Sequence, residues 1–174
     1  IDKHDFKNAP YSKVKEADEK LRQDNAIYAG MIQSIDESLF RIMNTLETLG
    51  LSENTIIVFT SDNGGDGTKM NKRGKSTSNH PLKAGKCWLY EGGIRVPTIA
   101  YWPGTVPAQS KTAHISAFWD FYPTACELAG VKARKEIDGI SYLPTLKGQA
   151  ESQEKHDYLY WEFNERQGPI QAIR

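Results

Sequence analysis

Residues 54–65 read NTIIVFTSDNGG, and this stretch decides the predicted fold. Positions 55–60 are β-branched or aromatic, with apolar side chains on both faces, which predicts a strand buried on both sides, as in a parallel sheet covered by helices. Before it, apolar residues recur at three- and four-residue spacing from Tyr28 to Leu49, and Gly50 is placed to end the predicted helix. A helix, a tight turn and a buried strand form half of a βαβ unit, so we predict an α/β fold.

The rest of the chain adds two predicted strands and one more helix. Residues 98–102 and 158–163 have strand composition, and a helix is predicted from about Asp120 to Ala129. Between the first two strands, residues 61–90 show no periodicity and are rich in Gly, Lys, Ser and Asn. A loop of this length that starts at the carboxyl end of a buried strand favours a functional segment over a disordered one.

Composition excludes several classes of function. The 174 residues contain 22 Lys and Arg and 22 Asp and Glu, so a net charge of zero gives no general attraction to nucleic acid or anionic membranes. No apolar run approaches the roughly 20 residues that cross a bilayer. The two cysteines are predicted to be unpaired thiols. The chain opens at Ile1 without a start Met or a leader, and both ends are expected to lie inside a longer polypeptide.

The first chemical candidate is the pair Asp62 and Asn63, directly after the predicted strand and before two glycines. A carboxylate and a side-chain amide oxygen are ligands that calcium and magnesium prefer. Adjacent residues reach one ion only if the backbone turns sharply at the strand end. The same residues also suit an Asx-type turn that caps a strand, so both interpretations stay open on this stretch alone.

The second candidate is Lys86, which follows a glycine in the long loop. An ammonium group there can bind an anionic ester and stabilise charge on a leaving oxygen. The alternative is a solvated loop lysine. Glu91 and Arg95, four residues apart around two glycines, are predicted to form a structural ion pair.

Several motifs in a fixed order resemble the sulfatases of the alkaline-phosphatase superfamily. They are YAGMIQSID at 28–36, LGL at 49–51, NTIIVFTSDNG at 54–64, PLKAGK at 81–86, EGGIRVP at 91–97, DFYPT at 120–124 and GISYL at 139–143. The resemblance implies that residues 1–174 form the C-terminal portion of a catalytic domain. The best match covers residues 28–130, and residues 131–174 are a loop-rich segment that leads into a C-terminal strand region. The implied fold is α/β, with a mostly parallel mixed sheet flanked by helices (alkaline-phosphatase-like), and it is incomplete in this chain.

The resemblance also implies roles for single residues. Asp62 and Asn63 match the family's second pair of ligands to a divalent cation, usually calcium, with magnesium as the alternative. Lys86 matches the lysine that contacts the sulfate, as a catalytic and substrate-binding residue. His80 is a further substrate-binding candidate because it lies near the pocket in sequence, and Lys83 is assigned a structural role.

The nucleophile that the resemblance implies is absent. Members of this family convert a Cys or Ser in a Cys/Ser-x-Pro/Ala-x-Arg motif to formylglycine, and neither Cys87 nor Cys126 is followed by that pattern. The formylglycine and the first pair of metal-binding aspartates are therefore expected upstream of Ile1. We expect the chain to be inactive alone and to bind its cation weakly, because half of the expected protein ligands are missing.

The implied function is hydrolysis of aryl or carbohydrate sulfate esters, on a small molecule or a sulfated glycan. The alternatives are a phosphodiesterase or phosphonate hydrolase of the same superfamily, and a non-catalytic binding module. The segment from Lys86 to Pro97 favours the sulfatase. Family habit implies a periplasmic, secreted or lysosomal location, whereas the particular ester and the oligomeric state are not specified by the sequence. The partial fold is expected to expose a sheet edge and an apolar face.

Overall fold

The computed structural model describes residues 19–68, 76–163 and 170–174. Among these residues the helices are α1 (Ala26–Thr48), α2 (Glu91–Ile94), α3 (Phe121–Leu128) and α4 (Leu143–Leu146), and the strands are β1 (Ile57–Thr60), β2 (Thr98–Tyr101), β3 (Tyr160–Phe163) and β4 (Ile170–Ile173). Short 3₁₀ turns occupy Ser52–Asn54, Phe118–Asp120 and Ala150–Ser152. No helix in this part of the chain is both long and apolar enough to cross a membrane.

The chain divides into two compact units. The first unit comprises Ile1–Ile42, Thr60–Thr98 and Glu162–Ala172, and the second comprises Met43–Phe59, Ile99–Trp161 and Ile173–Arg174. All the candidate functional residues of the sequence lie in the first unit.

Helix α1 begins and ends where the residue pattern predicts. Its start is capped by Asn25, whose side-chain oxygen accepts hydrogen bonds of 3.1 Å from the backbone N–H groups of Ile27 and Tyr28. Its end is followed by Gly50, which has a φ of +66° that side-chain-bearing residues adopt only with strain. The helix predicted on apolar spacing, with Gly50 as its stop, is confirmed.

The apolar residues of α1 are only partly covered by the described part of this chain. None of its residues is buried, and Met31 and Ile42, which lie on the apolar stripe, are 58% and 55% exposed. The expected apolar face is therefore present along this helix. A partly exposed apolar stripe of this kind is a typical contact surface for another polypeptide segment.

The described strands form two separate two-stranded sheets, β1 with β2 and β3 with β4. Both pairs run antiparallel. Thr60 at the end of β1 lies beside Thr98 at the start of β2, with 3.1 Å between their Oγ1 atoms. Next to β3 and β4, Leu159 and Arg174 exchange two backbone hydrogen bonds of 2.9 Å. The predicted mostly parallel sheet is not confirmed by these strands. Burial of β1 on both faces was a wrong prediction for this chain, since Phe59 is 37% exposed. The physical reason is that, among the described residues, β1 has one partner strand and none of its four residues is buried.

The second unit is organised around the buried carboxylate of Asp120. Its Oδ2 accepts a hydrogen bond of 2.7 Å from the Ala117 N–H, and its Oδ1 accepts one of 2.9 Å from the Ile140 N–H. His156 Nε2 lies 2.8 Å from the same Oδ1. Because α3 starts at the next residue, this carboxylate joins the helix to two later loops. The helix predicted near Asp120 is confirmed, with Gly130 at φ +68° after its end.

Candidate functional site

Asp62 and Asn63 form a tight turn immediately after β1. Asp62 Oδ1 accepts hydrogen bonds from the backbone N–H of Asn63, at 3.0 Å, and from its side-chain Nδ2, at 2.6 Å. Ser61 Oγ donates to the Asn63 carbonyl at 2.9 Å. Asp62 is exposed and Asn63 is half-buried, so the turn holds two polar side chains together at a surface that a ligand can reach.

The next two residues fix this turn against the loop that carries Lys86. Gly64 N–H donates to the Gly93 carbonyl at 2.8 Å, and Lys86 N–H donates to the Gly65 carbonyl at 3.1 Å. A Cβ on Gly64 would lie 1.6 Å from the Gly92 carbonyl oxygen, far inside any real contact. The two segments therefore meet through their main chains, and glycine is required for that approach.

The side chain of Lys86 is exposed, and the backbone around it turns sharply. Ala84 and Cys87 both have positive φ, at 63° and 72°. Such angles cost roughly 1–2 kcal/mol for a residue with a Cβ, so the surrounding contacts must hold them. One such contact is made by Glu19, whose Oε1 accepts the Ala84 N–H at 2.7 Å.

Lys83 and the ion pair of the EGGIRVP segment are placed as the sequence predicts. Lys83 Nζ lies 4.0 Å from the centroid of the Tyr90 ring, a cation–π contact that fits a structural lysine. Arg95 and Glu91 form the predicted ion pair, with 3.5 Å between Nη1 and Oε2. His80 is exposed, and its backbone N–H donates to Ser78 Oγ at 3.2 Å. A substrate contact by His80 stays a prediction.

Comparison with known proteins decides the family. The sulfatase family profile matches residues 2–131. This chain belongs to the sulfatase family. The match includes the turn at Asp62, the loop at Lys86 and the glycine contacts that join them.

Known relatives and solved structures agree with this assignment. N-acetylgalactosamine-6-sulfatase of Mus musculus is 39% identical over 125 residues, which cover 70% of this chain and 24% of that protein. Steryl-sulfatase of Homo sapiens is 33% identical over 143 residues, which cover 80% of this chain and 24% of that protein. The crystal structure of Ps i-CgsB in complex with k-i-k-neocarrahexaose matches with a TM-score of 0.73 at 35% identity, covering 84% of this chain and 32% of that one. The chain thus spans about a quarter of the length of these curated relatives.

Asp62 and Asn63 of this sulfatase segment fit a hard divalent cation as part of its ligand set. They supply a carboxylate and an amide on adjacent residues, and oxygen ligands of both kinds bind calcium and magnesium. Because Asn63 Nδ2 donates to Asp62 Oδ1 in this structure, the amide would have to turn its oxygen towards a cation held by both residues. In the described part of the chain, no group of three or more His, Cys, Asp or Glu side chains is placed to hold a metal. Because calcium takes about six to eight oxygen ligands, these two residues would form one side of a larger site.

Sequence reasoning missed one residue that joins the two segments of the candidate site, Asn79. Its side-chain amide makes three hydrogen bonds, to both main-chain groups of Gly65 and to the Ala84 carbonyl. An asparagine in a polar loop is ordinary, and neither its spacing nor its neighbours signal this role. The nearby glycines were the available signal, since glycines in an aperiodic loop often mark close approach of another chain segment.

Proposed function

We propose that the complete polypeptide carrying this segment hydrolyses sulfate esters. The observation that supports this most directly is the main-chain contact between the Asp62 turn and the Lys86 loop, through the 3.1 Å hydrogen bond from Lys86 N–H to the Gly65 carbonyl. It keeps a candidate cation-binding pair and a candidate anion-binding ammonium group in one compact unit. Both kinds of partner can bind the negatively charged oxygens of a sulfate ester.

In this proposal Asp62 and Asn63 hold a divalent cation, calcium or alternatively magnesium. The cation supplies Lewis-acid polarisation of the sulfate oxygens when it is bound. Lys86 binds a sulfate oxygen or the leaving oxygen and stabilises the charge that develops there. At a separation of about 4 Å and an effective dielectric near 20, such a contact is worth about 4 kcal/mol before desolvation.

The nucleophile is proposed to be a formylglycine elsewhere in the complete polypeptide, because the 174 residues hold no Cys/Ser-x-Pro/Ala-x-Arg motif. The finer fold assignment belongs to the same proposal. In the complete domain, β1 would join a mostly parallel mixed sheet flanked by helices, as in alkaline phosphatase. Several apolar residues of α1 are exposed in this chain and are available to contact such a layer.

We assign the substrate to sulfated sugars in preference to other esters. The mouse relative is named for a sulfated amino sugar, and the matched Ps i-CgsB structure holds a neocarrahexaose. The human relative is named for sterol sulfates, so a sterol sulfate is the comparison substrate. A periplasmic, secreted or lysosomal location for the complete protein is part of the same proposal.

The test uses the complete polypeptide and three substrates: a sulfated monosaccharide, a sterol sulfate and an aryl phosphodiester. We expect sulfate release from the sugar, loss of turnover after chelation, and recovery on adding calcium. Lys86→Ala should reduce kcat/KM by at least about 100-fold if its contact contributes at least about 2.7 kcal/mol to the transition state. Lys111→Ala, at an exposed lysine of the second unit, is the matched control. Faster turnover of the phosphodiester, or full activity in Lys86→Ala, would overturn the proposal.

A further inference from the structure

We infer that Asn79 is a positioning residue that sets the distance between the Asp62–Asn63 turn and Lys86. The inference rests on the proposed function, because it concerns how the two halves of that site are held together. Asn79 need not touch substrate to act in this way. It acts through the main chain on both sides of the site.

The hydrogen bonds of Asn79 use its amide almost completely. Oδ1 accepts the Gly65 N–H at 2.9 Å, and Nδ2 donates to the Gly65 carbonyl at 2.8 Å. Nδ2 also donates to the Ala84 carbonyl at 2.9 Å. One side chain therefore bonds both to the turn that follows Asn63 and to the loop that precedes Lys86.

The bond to Gly65 also reaches Lys86. The Gly65 carbonyl that accepts from Asn79 accepts the Lys86 N–H as well, at 3.1 Å. Ala84, the other partner of Asn79, lies two residues before Lys86 and has a positive φ of 63°. A shift of the Asn79 amide would thus move Gly65 and Ala84, the two residues that hold the Lys86 loop, relative to the Asp62–Asn63 turn.

Three glycines leave room for this one amide. A Cβ on Gly85 would lie 2.6 Å from Asn79 Nδ2, a Cβ on Gly67 would lie 2.9 Å from the same atom, and a Cβ on Gly65 would lie 3.0 Å from Asn79 Oδ1. Real Cβ atoms hardly ever make contacts this short. The amide is therefore enclosed by backbone on several sides, which fixes its orientation.

Gln23, in the segment before α1, provides a matched control because it bonds to the same loop. Its side-chain oxygen accepts the Thr77 hydroxyl at 2.6 Å, and its amide nitrogen donates to the Ser78 carbonyl. It thus holds the residues just before Asn79 without bonding to Gly65 or Ala84. Loss of Gln23 loosens the loop, whereas loss of Asn79 also separates the two halves of the site.

The experiment compares Asn79→Asp, Asn79→Ala and Gln23→Leu in the complete polypeptide. Asn79→Asp keeps the shape and the acceptor for Gly65 N–H but loses both donated bonds, and Asn79→Ala loses all three without adding charge. We expect both Asn79 variants to lower kcat about 10- to 100-fold with a change in KM of less than about 3-fold, because misplacement of roughly 1 Å costs about that much in rate. Gln23→Leu should stay within about 3-fold of the parent kcat.

A second measurement needs no activity. Hydrogen exchange of the Lys86 amide, followed in cation-free protein, should speed up at least about 10-fold in both Asn79 variants and less than about 3-fold in Gln23→Leu. Parent-like kcat in both Asn79 variants, or equal exchange in all three, would overturn the inference. If the parent protein releases no sulfate from any ester, the proposed function fails, and the exchange comparison alone then decides whether Asn79 couples the two segments.

Discussion

Replacing Gly64 by alanine should be among the most damaging small substitutions in this chain. The new Cβ would lie 1.6 Å from the Gly92 carbonyl oxygen, 2.6 Å from the Gly92 carbonyl carbon and 3.0 Å from Gly93 Cα. All three atoms are main chain, so no side-chain rotation can relieve the overlap. The turn after β1 must move away from the loop that contains Gly92 and Gly93.

The size of the effect follows from two terms. Overpacking by one methyl group costs about 1–3 kcal/mol. The movement also breaks the 2.8 Å hydrogen bond from Gly64 N–H to the Gly93 carbonyl, and a buried group left without a partner costs about 1–3 kcal/mol. We therefore expect a loss of about 2–6 kcal/mol in the free energy of unfolding, a large share of the roughly 5–15 kcal/mol typical of a domain.

Gly30→Ala is the control, because it makes the same chemical change where no atom lies within 4 Å of the added Cβ. Gly30 lies inside α1, where alanine is favoured over glycine by about 0.8–1 kcal/mol. The two variants should therefore shift stability in opposite directions. Urea unfolding of the 174-residue chain, followed by tryptophan fluorescence, measures both. A Gly64→Ala variant as stable as the parent would refute the close main-chain approach.

Four further outcomes follow from the structure. Asp120→Asn should lower the free energy of unfolding by about 2–3 kcal/mol, measured by urea unfolding. The reason is that it disturbs a buried carboxylate that bonds two backbone amides and His156. Burial holds the pKa of His114 below its ordinary value of 6.5, so the folded state favours the neutral ring. The unfolded chain therefore binds more protons as pH falls below 6.5, and the free energy of unfolding decreases until pH reaches the folded pKa. NMR titration of the ring should give a midpoint below 6.5. Arg95→Gln should change stability by less than about 0.5 kcal/mol, because its ion pair with Glu91 is largely solvent-exposed, and a loss above 2 kcal/mol would contradict this. The purified 174-residue chain should not turn over a chromogenic aryl sulfate, and measurable turnover would show that the nucleophile lies within it.

Local patterns in the sequence predicted the two longer described helices, α1 and α3, and the strand positions, but not the four-residue helices α2 and α4. Apolar spacing located α1, and Gly50 marked its end, because both depend on residues close together in the chain. The pairing of β1 was not predictable in the same way, since strand partners and covering layers depend on distant segments. A motif placed Asp62 on a turn after β1, and the structure agrees.

The contacts that join the candidate site were harder to predict than its residues. Asn79 makes its three hydrogen bonds to two residues, Gly65 and Ala84, which lie 14 and 5 positions away, and no local pattern encodes their approach. Glycines such as Gly64 and Gly92 signal a turn, but which segment comes close to them is a tertiary property. The candidate site residues could therefore be named from residue types, whereas the hydrogen bonds that join their two segments became visible only in the structure.

The peptide-to-peptide contact at Gly64, Gly65 and Gly93 has an evolutionary consequence. Since the join is made without the side chains of exposed neighbours such as His80 and Lys86, those positions can diversify without dismantling the scaffold. We expect selection to conserve the glycines because the main-chain contacts need them. Lys86 should be conserved only while its charge is useful, and position 80 should vary among proteins that act on different substrates. Because main-chain contacts hold the scaffold and exposed side chains face the solvent, the same reaction can be adapted to many different molecules.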